Sequence, residues 1–289
     1  MICQLSNSVL NVKISTLGAE LMSVTRDGCE YMWQGDPAYW GSRSPLMFPI
    51  CGRLPDGKFS YEGKEYEMIH HGFTRSSEFE LTAKTSDSLE FTLRSGEDTR
   101  RSYPFDFELK VTYTLKGSAL ELSARIKNTG EAVMPATFGA HPGFNVPLDS
   151  GSFDDWYIEF SEEATPNLFI FSDSLLDSGK REAYPLKDGK ILPLSHDLFA
   201  IDGVFMSHLP SSATLKSDKS SRSVTLSYPQ MPYVGVWHKP MSDAPYVCIE
   251  PWCGLPSIDG MSNDIMKKSD MFHILPGREK NIGLSIEFN

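Results

Sequence analysis

Two titratable side chains that stand directly before prolines, His141 and Glu250, are the residues of this sequence best suited to chemistry. Pro142 restricts the histidine to an extended or turn conformation, and Gly139 and Gly143 let the backbone approach another group closely. A histidine fixed in this way can present one ring nitrogen to a ligand while a neighbour holds the other. The pattern therefore indicates an imidazole that serves a ligand site.

Glu250 lies in the segment YVCIEPWCG, residues 246–254. With a period of two, it shares one face of a predicted strand with Tyr246, Cys248 and Trp252. A carboxylate in so apolar a strand is costly to bury without a partner, so either an arginine neutralises it or function requires it. Because the histidine described above accompanies it, we favour the functional interpretation.

Two earlier segments supply further polar candidates. Arg53 follows the apolar run LMFPIC, residues 46–51, and a guanidinium in that context needs an anion or a hydrogen-bond acceptor. The segment HHGFTR, residues 70–75, places two imidazoles near a second guanidinium. Taken alone, this segment is more typical of an exposed surface than of a site.

The elements that must position these side chains are predicted to be β-strands, because apolar and polar residues alternate along most of the chain. Residues 107–115 and 120–126 alternate on either side of a Lys-Gly-Ser turn and predict a β-hairpin. Further pairs are predicted at 79–83 with 89–93, 59–61 with 66–68, and 213–215 with 224–228, and a last strand at 282–288.

Helical periodicity is confined to stretches such as 195–199 and 264–268, which are too short to form independently stable helices. Half-solvated antiparallel strands in such number need a second sheet to cover their apolar faces. The sequence therefore predicts an all-β fold, a large antiparallel β-sandwich with few short helices. No linker divides the chain, so we expect residues 1–289 to form one domain.

The composition excludes several classes of protein. Of the 289 residues, 27 are basic and 38 acidic, and the net charge of -11 disfavours nucleic acid as a partner. No apolar run approaches the ~18 residues of a membrane span, and the start lacks a signal-peptide pattern, so we expect a cytoplasmic protein without a membrane partner. Five cysteines without C-x-x-C spacing indicate structural thiols rather than disulfides or a zinc site.

Six segments resemble motifs of the aldose 1-epimerase (galactose mutarotase) family, specifically its LacX-like branch, which borders the hexose-6-phosphate epimerases. They occur in the family's order along nearly the whole chain, and they are GAEL (18–21), WQGDPAYW (33–40), PICGR (49–53), HGFTR (71–75), FGAHPGF (138–144) and CIEPWCG (248–254). Each is weak alone, but the ordered set is specific. The resemblance implies a large antiparallel β-sandwich, in agreement with the alternation.

The resemblance also implies roles for individual residues. In the family, a histidine of the HP motif protonates the sugar ring oxygen and a late glutamate removes the proton from the anomeric hydroxyl, and these roles fall to His141 and Glu250. Sugar-binding roles fall to Arg53, His71 and Asp202. The aromatic residues of the loops offer faces on which a sugar could lie, and these are Trp33, Trp40, Phe144 and Trp252.

The implied activity is interconversion of the α and β anomers of a hexose or related aldose, with a small-molecule sugar as the partner and no metal, nucleotide or redox cofactor. The protein is expected to be a monomer or a homodimer.

One alternative function is that of a hexose-6-phosphate 1-epimerase. In that case the phosphate would be bound by Arg75, which matches an arginine of that branch, and by Arg43. Another is a non-catalytic sugar-binding protein on the same fold, although such a protein needs neither an acid nor a base. Glycoside hydrolysis is less favoured, because the second carboxylate would have to be Asp202.

Overall fold

The computed structural model describes residues 1–289, and nearly all of its regular structure is β-strand. In chain order the strands are β1 (Ile2–Ser6), β2 (Asn11–Ser15), β3 (Leu21–Arg26), β4 (Cys29–Glu30), β5 (Leu46–Met47), β6 (Lys58–Tyr61), β7 (Lys64–Glu67), β8 (Glu80–Lys84), β9 (Ser88–Arg94), β10 (Phe107–Lys116), β11 (Ala119–Asn128), β12 (Met134–Ala136), β13 (Gly139–Ala140), β14 (Gly143–Asn145), β15 (Trp156–Phe160), β16 (Asn167–Phe171), β17 (Asp177–Ala183), β18 (Ile191–Pro193), β19 (Val204–Ser207), β20 (Ser212–Ser217), β21 (Val224–Ser227), β22 (Tyr233–Trp237), β23 (Tyr246–Trp252), β24 (Phe272–Ile274) and β25 (Glu279–Phe288).

Helices are few and short. The single α-helix is α1 (Glu97–Ser102), and the 3₁₀-helices are Pro55–Gly57, Thr74–Ser76, Phe153–Asp155 and His196–Phe199. The α-helix was not predicted from the sequence, because none of its residues is buried and it therefore carries no apolar periodicity. No helix of the structure has the length and apolar character needed to cross a membrane.

Two large antiparallel sheets make up most of the fold. A nine-stranded sheet has the order β18-β15-β20-β21-β25-β11-β10-β9-β8, and an eight-stranded sheet has the order β17-β16-β19-β22-β23-β13-β5, with β14 also paired to β23. A four-stranded sheet has the order β1-β2-β3-β4, and two-stranded sheets pair β6 with β7 and β12 with β24. The predicted all-β antiparallel sandwich with few helices is confirmed.

The predicted hairpins are present, and β10 with β11 shows why they form. Buried and partly exposed residues alternate along β10, and its partners in β11 alternate in step, as in the pair Leu109 with Ile126. Gly117 takes a φ of 61° in the two-residue connection, a conformation that suits glycine. Hairpins β8–β9, β6–β7 and β20–β21 and the last strand β25 also lie at the predicted positions.

The eight-stranded sheet has two different faces, and this difference positions the site. On β23, Val247 and Ile249 belong to the main apolar core, which they share with inward residues of the nine-stranded sheet such as Leu109. The alternate residues of β23 point to the opposite face, where small apolar clusters include Tyr246 and Trp252. Loops cover this opposite face, and the cavity described next lies between the loops and the sheet.

Candidate active site

Glu250 stands near the middle of the outer face of β23. Its neighbour on β22 is Gly235, where a Cβ atom would lie 2.5 Å from Cε1 of Phe205 and 3.4 Å from Cβ of Glu250. The glycine therefore leaves the space that Phe205 fills beside the carboxyl group. Trp237, the next outward residue of β22, pairs with Cys248, so an aromatic ring and a thiol flank the glutamate along the same face.

The register of the sheet places His141 opposite Glu250. Strands β13 and β14 both pair with β23, and Gly139 lies opposite Trp252 while Gly143 lies opposite Cys248. The residue midway between the two glycines therefore faces the residue midway between their partners. His141 Nε2 lies 3.2 Å from Glu250 Oε1, which explains how two residues far apart in the sequence meet.

Both side chains are buried and have hydrogen-bonding capacity that no other group uses. Glu250 is 1% exposed and His141 8% exposed. Neither oxygen of the carboxyl group has a hydrogen bond of good geometry, although the imidazole and the Trp252 indole N–H lie near it, and Nδ1 of the imidazole has no partner either. Most buried polar atoms in proteins are paired, because a buried polar atom without a partner lowers the stability of the fold. These unpaired atoms are available to a ligand.

Burial acts on the two groups in opposite directions. It raises the pKa of Glu250 well above its ordinary value, the negative charge of Asp202 adds to the increase, and the Trp252 indole N–H opposes it. Burial lowers the pKa of His141 to about 3, the backbone opposes this, and the charges of His70 and Arg75 add to it. The sequence leaves open whether burial or Arg53 governs the glutamate, and here burial does. Without a ligand, the single proton of the pair therefore favours the carboxyl group and a neutral imidazole.

A backbone hydrogen bond determines which ring nitrogen of His71 carries the proton. Its own φ is 65°, and its Nδ1 accepts a hydrogen bond of 3.0 Å from the N–H of Gly52. Burial lowers its pKa well below the ordinary value, so the ring is neutral and Nε2 carries the proton. Gly72 must be a glycine here, because a Cβ atom would lie 2.1 Å from the carbonyl oxygen of Phe48. The loop therefore presents a fixed N–H donor.

Aromatic rings hold the imidazole of His141 in place. The Trp40 ring stacks on it with a centroid distance of 4.8 Å and an interplanar angle of 27°. Trp237 meets it edge-on at 5.7 Å, and Trp252 meets the ring of His71 edge-on at 5.4 Å. These rings restrict both histidines to one orientation.

One cavity of about 410 Å³ brings together all six residues that the sequence singled out as site residues. They are Arg53, His71, Arg75, His141, Asp202 and Glu250. The cavity volume lies within the range of small-molecule sites, roughly 300–1,000 Å³. Sequence reasoning did not find the rest of the apolar lining, which includes Phe171, Phe205 and Trp237, because these residues read as ordinary members of alternating strands.

Two of the four proposed aromatic platforms line the cavity and two do not. Trp40 and Trp252 belong to its wall. Phe144 is wholly buried in the main core, and Trp33 is 6% exposed in a cluster with Tyr246. The first pair can therefore contact a ligand, and the second pair supports the wall from behind.

The loops add positive charge at the mouth of the cavity. Arg53 and Arg75 are exposed, and neither guanidinium has a carboxylate within 4.0 Å. Burial lowers the pKa of neighbouring His70 to about 3, and these two arginines add to the effect. Asp202 is the acidic residue of the rim, and its Oδ1 accepts a hydrogen bond of 2.8 Å from the N–H of Gly203. The unpartnered arginines are suited to an anionic or hydroxyl-rich ligand.

All five cysteines are free thiols. One of them, Cys248, lies on the same strand face as Glu250, and ligand atoms of His141, Cys248 and Glu250 all lie within 4.8 Å of one another. This cluster is the part of the site with the residue types that could hold a metal ion.

The chain is similar to known proteins over nearly its whole length. Residues 1–258 match the sequence model of the family described as aldose 1-epimerase. Protein LacX (plasmid) of Lactococcus lactis subsp. lactis is 34% identical over 288 residues, which cover 96% of this chain and 95% of LacX.

Two solved structures are similar over the whole of this chain. A galactose mutarotase related enzyme from Lactobacillus acidophilus has a TM-score of 0.95 at 34% identity, and the match covers 100% of this chain and 97% of that chain. A galactose mutarotase-like protein from Lactobacillus casei ATCC 334 has a TM-score of 0.94 at 30% identity, with 100% of both chains covered.

Proposed function

Because the chain belongs to the aldose 1-epimerase family, we propose that it is a mutarotase that interconverts the α and β anomers of a hexose or related aldose. The observation that carries the proposal is the His141–Glu250 pair. A buried imidazole and a buried carboxyl group lie 3.2 Å apart on the wall of a cavity of monosaccharide size, and their remaining polar atoms have no partner.

The reaction requires a base at the anomeric hydroxyl oxygen O1 and an acid at the ring oxygen O5, two oxygens bonded to the same carbon. Opening the ring transfers the proton of the anomeric hydroxyl O1 to the carboxylate of Glu250, while protonated His141 delivers a proton to the ring oxygen O5. The open aldehyde then rotates about the C1–C2 bond. On closure from the other face, Glu250 returns its proton to O1 and His141 takes one back from O5, so the protein ends in its starting state.

The pair reaches the required charges by one internal proton transfer. Burial favours a protonated carboxyl group and a neutral imidazole, and transfer of that proton to the imidazole, whose Nε2 lies 3.2 Å from Oε1, gives the carboxylate and the imidazolium. A bound sugar supplies hydroxyl donors to the unpaired carboxylate oxygens and stabilises the charged form. Substrate binding thus prepares the acid and the base together.

The remaining residues of the cavity bind and orient the sugar. His71 donates from Nε2, Arg53 donates from its guanidinium, and Asp202 accepts from sugar hydroxyls. Trp40 and Trp252 contact the C–H faces of the ring. General acid or base catalysis contributes roughly 10²- to 10⁴-fold per group. His141 and Glu250 therefore suffice as catalytic groups for a reaction that also proceeds slowly in water.

The test follows the approach to anomeric equilibrium from a freshly dissolved single anomer, by polarimetry or NMR, with galactose and glucose as first substrates. Replacing Glu250→Gln or His141→Asn is expected to lower the enzyme-dependent rate roughly 10²- to 10⁴-fold. Wild-type exchange in both folded variants would refute the assigned roles. A sugar that binds to the wild-type protein without any exchange would favour the alternative of a non-catalytic sugar-binding protein.

A second candidate substrate class is the hexose 6-phosphates, and the observation in its favour is the pair of unpartnered arginines at the cavity mouth. A phosphate group is bound well by two guanidinium groups. In that case Arg75→Ala raises the KM for the phosphorylated sugar by roughly tenfold to a hundredfold, the cost of one hydrogen bond between charged groups, with little effect on the free sugar. The matched control is Arg101→Ala, an exposed arginine of α1 that pairs with Glu97. Equal effects of the two variants would exclude phosphate binding by Arg75.

A further inference from the structure

The acid–base pair has a third neighbour with metal-binding chemistry that the proposed reaction does not use. Cys248 is 0% exposed and lies two residues before Glu250 on the same face of β23. Its Sγ, a carboxylate oxygen of Glu250 and a ring nitrogen of His141 lie within 4.8 Å of one another. Thiolate, imidazole and carboxylate groups are the three kinds of side chain that bind zinc in proteins.

The spacing of the cluster suits a tetrahedral ion. Zinc binds nitrogen and oxygen ligands at about 2.0–2.2 Å, which separates two such ligands by ~3.4 Å at the tetrahedral angle. The observed distance between Nε2 of His141 and Oε1 of Glu250 is 3.2 Å. The sulfur lies within 4.8 Å of the other two ligand atoms, against the ~3.6 Å expected around zinc, so the thiol approaches by up to about 1.2 Å on binding.

The two polar partners of the thiol also have the capacity to bind. Both carboxylate oxygens of Glu250 are buried without a hydrogen-bond partner, and Nε2 of His141 lies 3.2 Å from one of them. The imidazole is held by the stacked ring of Trp40, so it needs no reorganisation to act as a ligand. Buried polar groups without a partner are rare in proteins, and binding of an ion is one explanation for them.

We propose that His141, Cys248 and Glu250 bind a thiophilic divalent cation of the zinc type, with the fourth coordination position directed to the cavity. Binding moves the thiol proton of Cys248 and the proton shared by the other two groups to the solvent, because a metal takes the thiolate, the neutral imidazole and the carboxylate. The ion then occupies both the acid and the base. Metal binding goes beyond the proposed mutarotase function, whereas the inhibition that it produces rests on that function.

Cys253 is the natural control for the thiol. It is also a buried free cysteine, 6% exposed, but it packs in the main core and its Sγ contacts the carbonyl oxygen of Gln230. Packing as a small apolar residue, which is the ordinary role of a buried cysteine, accounts for Cys253 completely. The position beside two unpaired ligand groups distinguishes Cys248 from it.

The experiment titrates the full-length protein, with any affinity tag removed, with cobalt(II) as an optical probe. One equivalent is expected to give a thiolate-to-cobalt charge-transfer band in the near ultraviolet and the strong visible absorption of a tetrahedral site, both abolished by excess zinc. Cys248→Ser is expected to lose the charge-transfer band and to weaken zinc binding at least roughly tenfold. Cys253→Ser is expected to retain both.

Two outcomes would overturn the proposal, namely a wild-type protein without the charge-transfer band, or a Cys248→Ser variant that keeps it. Should the serine variant fail to fold, Glu250→Gln keeps the thiol and is expected to weaken cobalt binding at least roughly tenfold. Zinc inhibition of anomer exchange is measured separately, relative to the activity of each variant without metal. A protein that binds cobalt but does not exchange anomers keeps the metal site and refutes the mutarotase, and the reverse result does the opposite.

Discussion

Two buried histidines stand on either side of Trp237 and differ in a way that separates structure from chemistry. His141 meets the Trp237 ring edge-on within the cavity wall, and His238 follows Trp237 in the chain and packs on Phe199 in the main core. Burial lowers both pKa values, to about 3 for His141 and to about 4 for His238. Burial and pKa therefore do not distinguish them.

The hydrogen bonds of the two histidines distinguish them. The Nδ1–H of His238 donates to the carbonyl oxygen of Lys239 at 2.7 Å, and its Nε2 accepts from Nδ1 of His196 at 3.1 Å. His141 has no hydrogen bond at Nδ1, and at Nε2 it meets only the carboxyl group of Glu250. A buried histidine with both nitrogens paired stabilises the fold, whereas one with free capacity is available to a substrate.

The largest expected difference is between the variants His141→Asn and His238→Asn. The first is expected to lower anomer exchange roughly 10²- to 10⁴-fold with little loss of stability, since it removes no hydrogen bond. The second is expected to cost about 1–3 kcal/mol of unfolding free energy, because it leaves the groups paired with His238 without a partner, while the folded protein keeps its exchange activity. Chemical denaturation and polarimetry on the same samples measure both quantities. The comparison fails if the two variants show the same profile.

The acid side of the stability profile sharpens the comparison. A histidine with a lowered pKa in the folded state binds its proton only after unfolding, so the fold loses stability as pH falls below the unfolded value of 6.5. For His141 this loss amounts to about 2 kcal/mol between pH 6.5 and about pH 5, and the loss continues down to the folded pKa of about 3. His141→Asn removes this contribution, so the variant is expected to lose less stability than wild type over that interval, as measured by urea unfolding at a series of pH values. Parallel curves would contradict it.

The last expected effect has the opposite pH dependence and concerns the other member of the pair. Burial raises the pKa of Glu250, so the folded state holds a proton that the unfolded state releases above its value of 4.5, and the residue costs stability as pH rises through that range. Glu250→Gln is therefore expected to raise the free energy of unfolding at pH 8, with the gain vanishing near pH 4.5. A thermal melt that shows destabilisation at pH 8 would contradict this prediction.

Much of the fold could be predicted because the relevant interactions are local. Hairpins such as β10–β11 are specified by alternation and a turn within some twenty residues of sequence, and alternation also divides β23 correctly into a core face and an outer face. The order of the eight-stranded sheet could not be predicted, since it depends on pairing between strands distant in sequence.

The same distinction applies to the site. His141 and Glu250 were identified from their proline neighbours and from an apolar context that a charged group rarely occupies, but their direct opposition depends on the register of β13 and β14 against β23. Asp202 was identified only through the family resemblance, because its short loop carries no pattern. Trp237 was not identified, because an aromatic residue in an alternating strand gives no signal of the cavity that it faces.

The site residues divide between two kinds of backbone. His141 and Glu250 are spaced by the hydrogen-bond ladder of the sheet, whereas Arg53, Arg75 and Asp202 stand on connections between strands. A change of loop length or sequence can therefore alter which ligand fits the cavity without moving His141 and Glu250. Under the proposed function, substrate preference can therefore change during evolution while the acid–base pair stays in place.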